Sequence, residues 1–288
     1  MGLVLGDKEY YETDVVEWVM YDDDSIVDII EDFQNEVYRL IDPNSGLNQM
    51  CRDELKIRIK NYRQDIFFGL LCRSVYYKLA ESGSDGNGGK TPAFSKYIEK
   101  DIVNLVDLEQ ILDCIFESFP DLLTAPASTR FHGSWEGGLM DHSISVYCAA
   151  LKMKNAYTEK YNVLNPIFFL LHDVCKCGCY HLETKDVKNK ETGKWETKTV
   201  YVKSNTTDSA QHGPESVMRI YELIFKDPLM GWLKFQFTDE WRLAIAYHMG
   251  MYSMSDSDMS EYNAAKAVHP EVLLMHHADM VASQLNGF

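Results

Sequence analysis

The histidines of this chain cluster between His132 and His277, and one of them, His172, is followed directly by Asp173. An apolar run at residues 167–171 precedes this pair. Imidazole nitrogen and carboxylate oxygen together are ligands that bind divalent metal ions. A histidine-aspartate pair is costly to bury unless it is partnered or binds something. The residue types therefore predict a metal site around His172 and Asp173.

Further candidate ligands lie at wide spacing and fall on different predicted helices. They are His142, His212, His248 and Asp279. Helical geometry places His142 about 160° around its helix from Met140 and Ile144, so it is not another core position of that apolar stripe. A lone histidine is more often a hydrogen-bonded core residue, but helical bundles build buried metal sites from ligands on facing helices. The set as a whole therefore favours metal binding.

The order of these residues, His, His-Asp, His, His and Asp, resembles the motif order of the HD-domain metal-dependent phosphohydrolases, a helical superfamily. Residues 125–128, His132 and residues 136–143 are similar to the opening motif of one subgroup, which includes the catalytic domain of bacterial 3′→5′ exoribonucleases and many phage and bacterial hydrolases. The later motifs are matched in order by residues 172–176, 212–216, 247–250 and 276–279. Met249 stands where the subgroup often has a second histidine. The resemblance covers about residues 103–285.

This resemblance implies an HD-domain helical bundle whose centre holds one or two divalent ions. Manganese, iron, nickel, zinc and magnesium are the candidates, since sites of this kind accept several metals. The first ion is implied to bind His142, His172, Asp173 and Asp279. His212 and His248 are implied to recruit a second ion, which Asp173 would bridge. A bound metal lowers the pKa of a water and so supplies a nucleophile near pH 7, which makes Asp173 a predicted catalytic residue as well.

Four side chains are predicted to contact the substrate, and two of them, Lys176 and His132, are predicted catalytic residues as well. Lys176 closely follows the His172-Asp173 pair and is expected to contact a phosphate. His132 precedes the first ligand and is expected to donate to a leaving group or to bind phosphate. His181 and Tyr201 belong to a predicted β-hairpin beside the site, where insertions commonly set substrate choice. For His181 a purely structural role is an equal alternative.

Two other motifs have simpler interpretations. Cys175, Cys177 and Cys179 alternate, whereas structural zinc sites usually have two or more residues between paired cysteines and a second pair elsewhere. Residues 84–91 imitate a phosphate-binding loop, but Ser84 stands where the first glycine belongs and no strand is predicted before it. We predict no separate zinc site, and a flexible loop at residues 84–91.

The composition restricts the class of protein. The chain has 288 residues and a net charge of −16, which opposes tight non-specific binding of a polyanion but leaves a metal free to recruit a small phosphate. No apolar run approaches 18 residues and no basic, then apolar, leader begins the chain, so neither a membrane span nor a signal peptide is predicted. Seven cysteines, an odd number, predict free thiols and a cytoplasmic protein.

The predicted architecture is mainly α, with a β-hairpin inserted at about residues 180–203 and an additional N-terminal helical region. We expect this acidic N-terminal region at residues 1–100, its role unknown, and the HD phosphohydrolase domain at residues 101–288. Asn165 followed by Pro166 is typical of a helix start, with the asparagine as the cap.

The favoured function is cleavage of a phosphate ester in a small nucleotide, because the surface is acidic and no nucleic-acid-binding module is recognisable. One alternative is a 3′→5′ exonuclease or phosphodiesterase on single-stranded RNA or DNA. An alternative of another class is a non-catalytic protein that binds a nucleotide or regulates a partner on the same scaffold. The sequence leaves the exact substrate, the native metal and the oligomeric state open.

Overall fold

The computed structural model describes residues 3–5, 7–42, 44–76, 105–161, 164–188, 193–204, 212–251 and 255–285. These residues form a mainly α fold with one long hairpin, which confirms the predicted fold class. The predicted domain boundary at residues 100 and 101 and the predicted flexible loop at residues 84–91 lie outside the described residues.

The N-terminal region consists of a short antiparallel strand pair followed by three helices. They are β1 (Leu3–Leu5), β2 (Lys8–Tyr10), α1 (Glu12–Met20), α2 (Asp23–Ile41) and α3 (Gln49–Val75). The side chains of Asp22 and Asn48 accept hydrogen bonds from backbone N–H groups of the first turns of α2 and α3. Such caps satisfy donors that a helix leaves without partners at its start.

Helix α2 shows why the acidic N-terminal segment packs against the body. Its buried side chains recur at helical spacing on one face. They are Ile26, Ile30, Phe33, Gln34 and Val37. Its acidic residues face solvent or lie in the first turn, where the helix dipole favours negative charge. The N-terminal helices share one hydrophobic core with the helices that follow.

The rest of the described chain holds eight further α-helices and the hairpin. In order they are α4 (Leu105–Ser118), α5 (Gly138–Met153), α6 (Pro166–Leu170), β3 (Tyr180–Lys188), β4 (Trp195–Lys203), α7 (His212–Lys226), α8 (Gly231–Gln236), α9 (Asp239–Ala246), α10 (Asp256–Val268) and α11 (Pro270–Met280). Asn165 caps α6 by accepting from Ile167 N, with Pro166 in the first turn, as predicted. A π-helical turn, Val281–Leu285, continues α11.

Helix α5 is the centre of the fold. It packs against α2, α3, α6 and α11. Residues 138–151 are therefore all buried, although several of them are polar. Because buried polar groups in proteins are nearly always hydrogen-bonded or functional, the polar side chains of α5 indicate where to look for a site.

The hairpin occupies the predicted range, residues 180–203. Its strands pair from Tyr180 opposite Lys203 to Lys188 opposite Trp195, in a two-stranded sheet. Directly opposed residues lie on the same face and neighbours along a strand on opposite faces. Tyr180 and Tyr201 therefore share one face of the ribbon, and His181 lies on the other.

All seven cysteines lie in described ranges and are free thiols. Throughout those ranges, each helix is too short or too polar to traverse a lipid bilayer.

Candidate metal centre

The His172-Asp173 pair follows a helix that ends early. Helix α6 stops at Leu170, and the chain then turns into a 3₁₀ segment, Val174–Lys176. The turn holds both side chains in the interior, where His172 is 0% and Asp173 is 2% exposed. An uncompensated carboxylate in such a position is strongly disfavoured, so its partners determine what the site does.

The start of α5, which carries His142, depends on a close approach of two backbone segments. A Cβ added at Gly138 would lie 2.0 Å from the carbonyl oxygen of Gly133. Leu139 N donates to the carbonyl of Ala125 at 2.9 Å, which satisfies one of the unpaired donors of the first turn. The glycines and alanines of the opening motif thus fix the direction in which α5 enters the core.

Five predicted ligands form one cluster of close contacts in the interior. Nε2 of His142 lies 3.0 Å from Asp279 Oδ1 and 3.8 Å from Asp173 Oδ2. Nε2 of His172 lies 3.6 Å from Asp173 Oδ2, and Nε2 of His248 lies 3.4 Å from Asp173 Oδ1. Two overlapping groups, His142 with His172 and Asp279, and His172 with Asp173 and His248, each bring their ligand atoms within 4.8 Å of one another.

Two of the histidines are held in the tautomer that a metal requires. Nδ1 of His172 lies 2.7 Å from the carbonyl of Phe169, and Nδ1 of His248 lies 2.8 Å from the carbonyl of Ile245. A carbonyl oxygen can only accept, so each Nδ1 carries a hydrogen, and in the neutral ring each Nε2 keeps its lone pair. No hydrogen bond from the described residues reaches either Nε2 or Asp173 Oδ1. These buried donor atoms fit a divalent cation.

His276 supports this arrangement from outside the cluster. Its Nδ1 donates to the carbonyl of His248 at 2.6 Å, and so fixes the turn that follows α9. Gly250 lies under the imidazole with a φ of +65°, and a Cβ there would be 2.5 Å from the ring. Only glycine satisfies both the left-handed backbone and the close contact.

The charges of the cluster suit a cation. Burial lowers the pKa of His172 to about 4, so its imidazole is neutral at pH 7. Burial acts against ionisation of Asp173, but the Lys176 ammonium holds the pKa of this carboxyl well below its usual range. Burial likewise opposes ionisation of Asp279, yet the hydrogen bond with His142 lowers the pKa of that carboxyl. Burial opposes protonation of His248, but the adjacent Asp173 raises the pKa of its ring. The metal-free site thus holds ionised carboxylates and a neutral imidazole at His172.

The two predicted phosphate contacts lie at the edge of this cluster. Nζ of Lys176 lies 2.6 Å from Oδ2 of Asp173, and although burial disfavours the charged form, Asp173 raises the pKa of the ammonium. The ring of His132 lies 5.1 Å from the ring of His142. Burial lowers the pKa of His132 to about 4, and the nearby His142 adds to the effect. Their contact with a substrate stays a prediction.

His212, the remaining predicted ligand, lies apart. Within the described ranges it belongs to neither group of ligand atoms. Its Nδ1 lies 3.6 Å from Cys175 Sγ, and burial, opposed by the charge of Asp173, lowers the pKa of its ring. The proposed second ion would need His212 to approach Asp173, so its role as a ligand stays a prediction.

The two predicted substrate contacts of the hairpin have different surroundings. His181 is exposed, and its Nδ1 lies 3.2 Å from the hydroxyl of Ser204. Tyr201 is half-buried, and burial raises the pKa of its phenol, with Glu136 contributing. Tyr180 lies on the same face as Tyr201 and was not predicted. Burial raises the pKa of its phenol, the charge of Lys176 opposes this rise, and the charge of Asp173 adds to it. The sequence offered one sign of a role for Tyr180, its position shortly after residues 172–176.

Sequence reasoning also missed a buried charge pair beside His142. Arg63, on α3, donates from Nε and Nη2 to the carboxylate of Asp141, and Trp135 Nε1 donates to the same carboxylate at 2.8 Å. No local signal relates Arg63 to Asp141, because the two positions are far apart along the chain.

Comparison with known proteins supports a phosphodiesterase resemblance over part of the chain. Over 57 residues the chain is 46% identical to dihydroneopterin 2′,3′-cyclic phosphate phosphodiesterase of Methanocaldococcus jannaschii. The similarity is local. It covers 18% of this chain and 23% of that protein's length. No family model matches the chain, and no solved structure matches it.

Proposed function

We propose that this protein is an HD-type metal-dependent phosphohydrolase that cleaves a phosphate ester in a small nucleotide-type substrate. The observation that carries the proposal is the convergence of buried imidazole Nε2 atoms and carboxylate oxygens, two of the imidazoles being held by backbone carbonyls in the tautomer that leaves Nε2 open. The local similarity to a cyclic phosphate phosphodiesterase supports phosphate-ester hydrolysis as the reaction.

The proposed ligands of one or two divalent ions are the side chains of the central cluster. They are His142, His172, Asp173, His248 and Asp279. When bound, the ion would supply an activated water near neutral pH and offset charge on the phosphoryl oxygens. His172 and His248 enter this role already oriented, because Phe169 O and Ile245 O hold their Nδ1–H groups.

Lys176 and His132 are proposed to act on the phosphate from the edge of the cluster. Lys176 keeps its charge beside Asp173, so a phosphoryl oxygen that enters the site meets a cation. His132 is neutral at pH 7, because burial lowers its pKa to about 4. A neutral imidazole still carries one N–H, which favours hydrogen bonding to a phosphate oxygen over outright donation of a proton.

Tyr201 and Tyr180 are proposed to contact the organic part of the substrate. Both tyrosines lie on the same face of the hairpin, and both are half-buried. Tyr180 is also close enough to Lys176 and Asp173 for their charges to affect the pKa of its phenol. A flat heterocyclic ring can stack on aromatic side chains of this kind. The net charge of −16 favours a small ligand over a polymer.

One observation favours the second candidate, a 3′→5′ exonuclease or phosphodiesterase on single-stranded RNA or DNA. Each hairpin strand has nine residues, which span about 30 Å at roughly 3.3 Å per residue. This length exceeds what one nucleotide needs. Trp195, at the far end of the face that carries Tyr201, is 70% exposed and could stack on a distant base.

The experiment is phosphate-ester hydrolysis by chelator-stripped protein, with manganese, iron, nickel, zinc or magnesium added back. Substrates are nucleoside mono- and triphosphates, 3′,5′- and 2′,3′-cyclic nucleotides, and single-stranded RNA and DNA oligonucleotides. We expect metal-dependent turnover of a small substrate, its loss in Asp173→Ala, and its retention in the matched control His269→Gln, which lies outside the cluster. Turnover confined to oligonucleotides selects the exonuclease. Nucleotide binding without turnover under any metal selects the non-catalytic alternative.

A further inference from the structure

Helix α5 has a second polar face beside the one that presents His142. Asp141 and Ser145 are one turn apart on this face, and both are 0% exposed. The face is turned towards α2 and α3 of the N-terminal region, which pack against α5. Its contacts therefore bear on how the N-terminal region relates to the proposed metal centre.

Arg63 of α3 makes the principal contact. Its guanidinium reaches both carboxylate oxygens of Asp141, with Nη2 2.9 Å from Oδ2. Both side chains are buried, at 7% and 0% exposure. A bidentate contact of this kind fixes the orientation as well as the distance of the two groups. Asp141 directly precedes His142, so its orientation is linked to that of the proposed ligand.

The same guanidinium also fills the space beside the first turn of α5. Nη2 of Arg63 donates to the carbonyl of Glu136 at 3.3 Å. Gly137, at a φ of +79°, lies against it, and a Cβ there would be 2.2 Å from the guanidinium carbon. Arg63 thus contacts both the residue before the ligand and the backbone turn that starts the helix.

A second contact holds α5 on the other side of His142. Nε2 of Gln34, on α2, donates to the hydroxyl of Ser145 at 2.8 Å, and that hydroxyl donates to the carbonyl of Asp141 at 2.8 Å. The buried amide and hydroxyl satisfy each other in the interior. The N-terminal region therefore hydrogen-bonds α5 at the positions one before and three after His142.

We propose that Arg63, assisted by Gln34, is a positioning residue for the metal centre. The N-terminal helical region thereby sets the position of the helix that carries the proposed ligand His142. The inference rests on the proposed function, since it assumes that His142 binds the ion. Partners outside the ligand shell commonly change metal affinity by roughly 10–100-fold when they are lost. Arg63 acts through Asp141 on the position and rotation of the helix that carries the ligand.

The test uses the full chain, stripped with chelator and titrated with Co²⁺, whose visible spectrum reports the geometry of its ligands. The test variant is Arg63→Lys, which keeps the positive charge and loses the bidentate contact with Asp141. The matched control is Arg73→Lys, on the same helix. Arg73 is also buried, at 2% exposure, but it contacts Asp23 and the carbonyl of Tyr21. Thermal unfolding of both variants measures the general loss of stability.

We expect Arg63→Lys to weaken Co²⁺ binding roughly tenfold or more and to shift the visible bands, while Arg73→Lys leaves affinity and bands as in the wild type. The inference is overturned if the two variants alter the spectrum alike, or if neither does while wild-type protein binds Co²⁺. Absence of Co²⁺ binding by the wild type contradicts the proposed function itself. Should Arg63→Lys fail to fold, Gln34→Leu takes its place, with the same opposing outcomes.

Discussion

Nζ of Lys176 lies 2.6 Å from Oδ2 of Asp173, within the cluster of proposed ligands. The lysine predicted to contact phosphate is therefore also the charge partner of a predicted metal ligand. A fixed cation at this distance stabilises the metal-free carboxylate and repels an incoming cation. This relationship gives Lys176 two opposite effects, on metal binding and on catalysis, which a substitution can separate.

Lys176→Met should increase metal affinity and decrease turnover. Loss of the ammonium leaves Asp173 buried without its partner, which destabilises the metal-free protein by about 3 kcal/mol, and a bound ion restores most of that loss. By linkage the ion then binds more tightly. Calorimetric titration and thermal unfolding with and without metal measure the change in affinity, steady-state hydrolysis measures the change in turnover, and Lys176→Arg is the control. A uniform loss of stability, metal-bound or not, would show that Lys176 has only a structural role.

His248 and His212 should differ in their effect on metal affinity. Nε2 of His248 lies 3.4 Å from Asp173 Oδ1, whereas His212 lies outside both groups of ligand atoms in the described chain. We expect His248→Gln to weaken binding of the tightest ion by more than the roughly 10–100-fold typical of outer-shell partners. His212→Gln should leave that ion unaffected and remove only a weaker, second binding event. Equal losses in the two variants would place both histidines on the same ion.

Tyr201 and His181 should likewise differ, because they lie on opposite faces of the hairpin. Tyr201→Ala is expected to raise KM for a small nucleotide about tenfold, since stacking of a base on an aromatic ring contributes roughly 1–3 kcal/mol. Tyr201→Phe should retain most of the affinity, and His181→Ala should leave KM unchanged. Steady-state kinetics on the three variants decides between the two faces. A raised KM in His181→Ala alone would mean that the substrate binds the exposed face.

The glycines of the opening motif give a structural prediction. A Cβ at Gly138 would lie 2.0 Å from the carbonyl oxygen of Gly133, a contact that the backbone cannot relieve locally. Gly138→Ala should therefore destabilise the fold by about 2 kcal/mol or more and weaken metal binding, because α5 would have to shift. Gly178→Ala is the control, since its left-handed φ of +73° gives strain but nothing lies within 4 Å of its Cβ. Equal metal affinity in both variants would contradict this account of α5.

The sequence was informative where function demands residue types that cores disfavour. His172 and Asp173 could be predicted as site residues because a polar pair ends an apolar run. The start of α6 could be predicted because Asn165 and Pro166 are local capping signals. These inferences needed only neighbouring residues. The outer limits of the hairpin were predictable, but the residues at which its strands meet the turn were not, because the segments that lead to Lys188 and away from Trp195 are largely exposed and charged.

Contacts between distant segments could not be predicted in the same way. Arg63 and Asp141 are separated by 78 positions, and an arginine on an amphipathic helix is ordinarily a surface residue. The different positions of His212 and His248 also depend on helix packing, which residue order alone does not specify. The order of the motifs thus predicts which residues belong to the site, and the three-dimensional fold determines which of them meet.

The most direct test of the central claim is the metal content of the chelator-stripped protein after reconstitution, measured by elemental analysis beside Asp173→Ala and His172→Ala. We predict at least one tightly held divalent ion per chain in the wild type and its loss in both variants. A wild-type protein that retains no ion after reconstitution, or variants that retain as much as the wild type, would contradict the proposed metal centre.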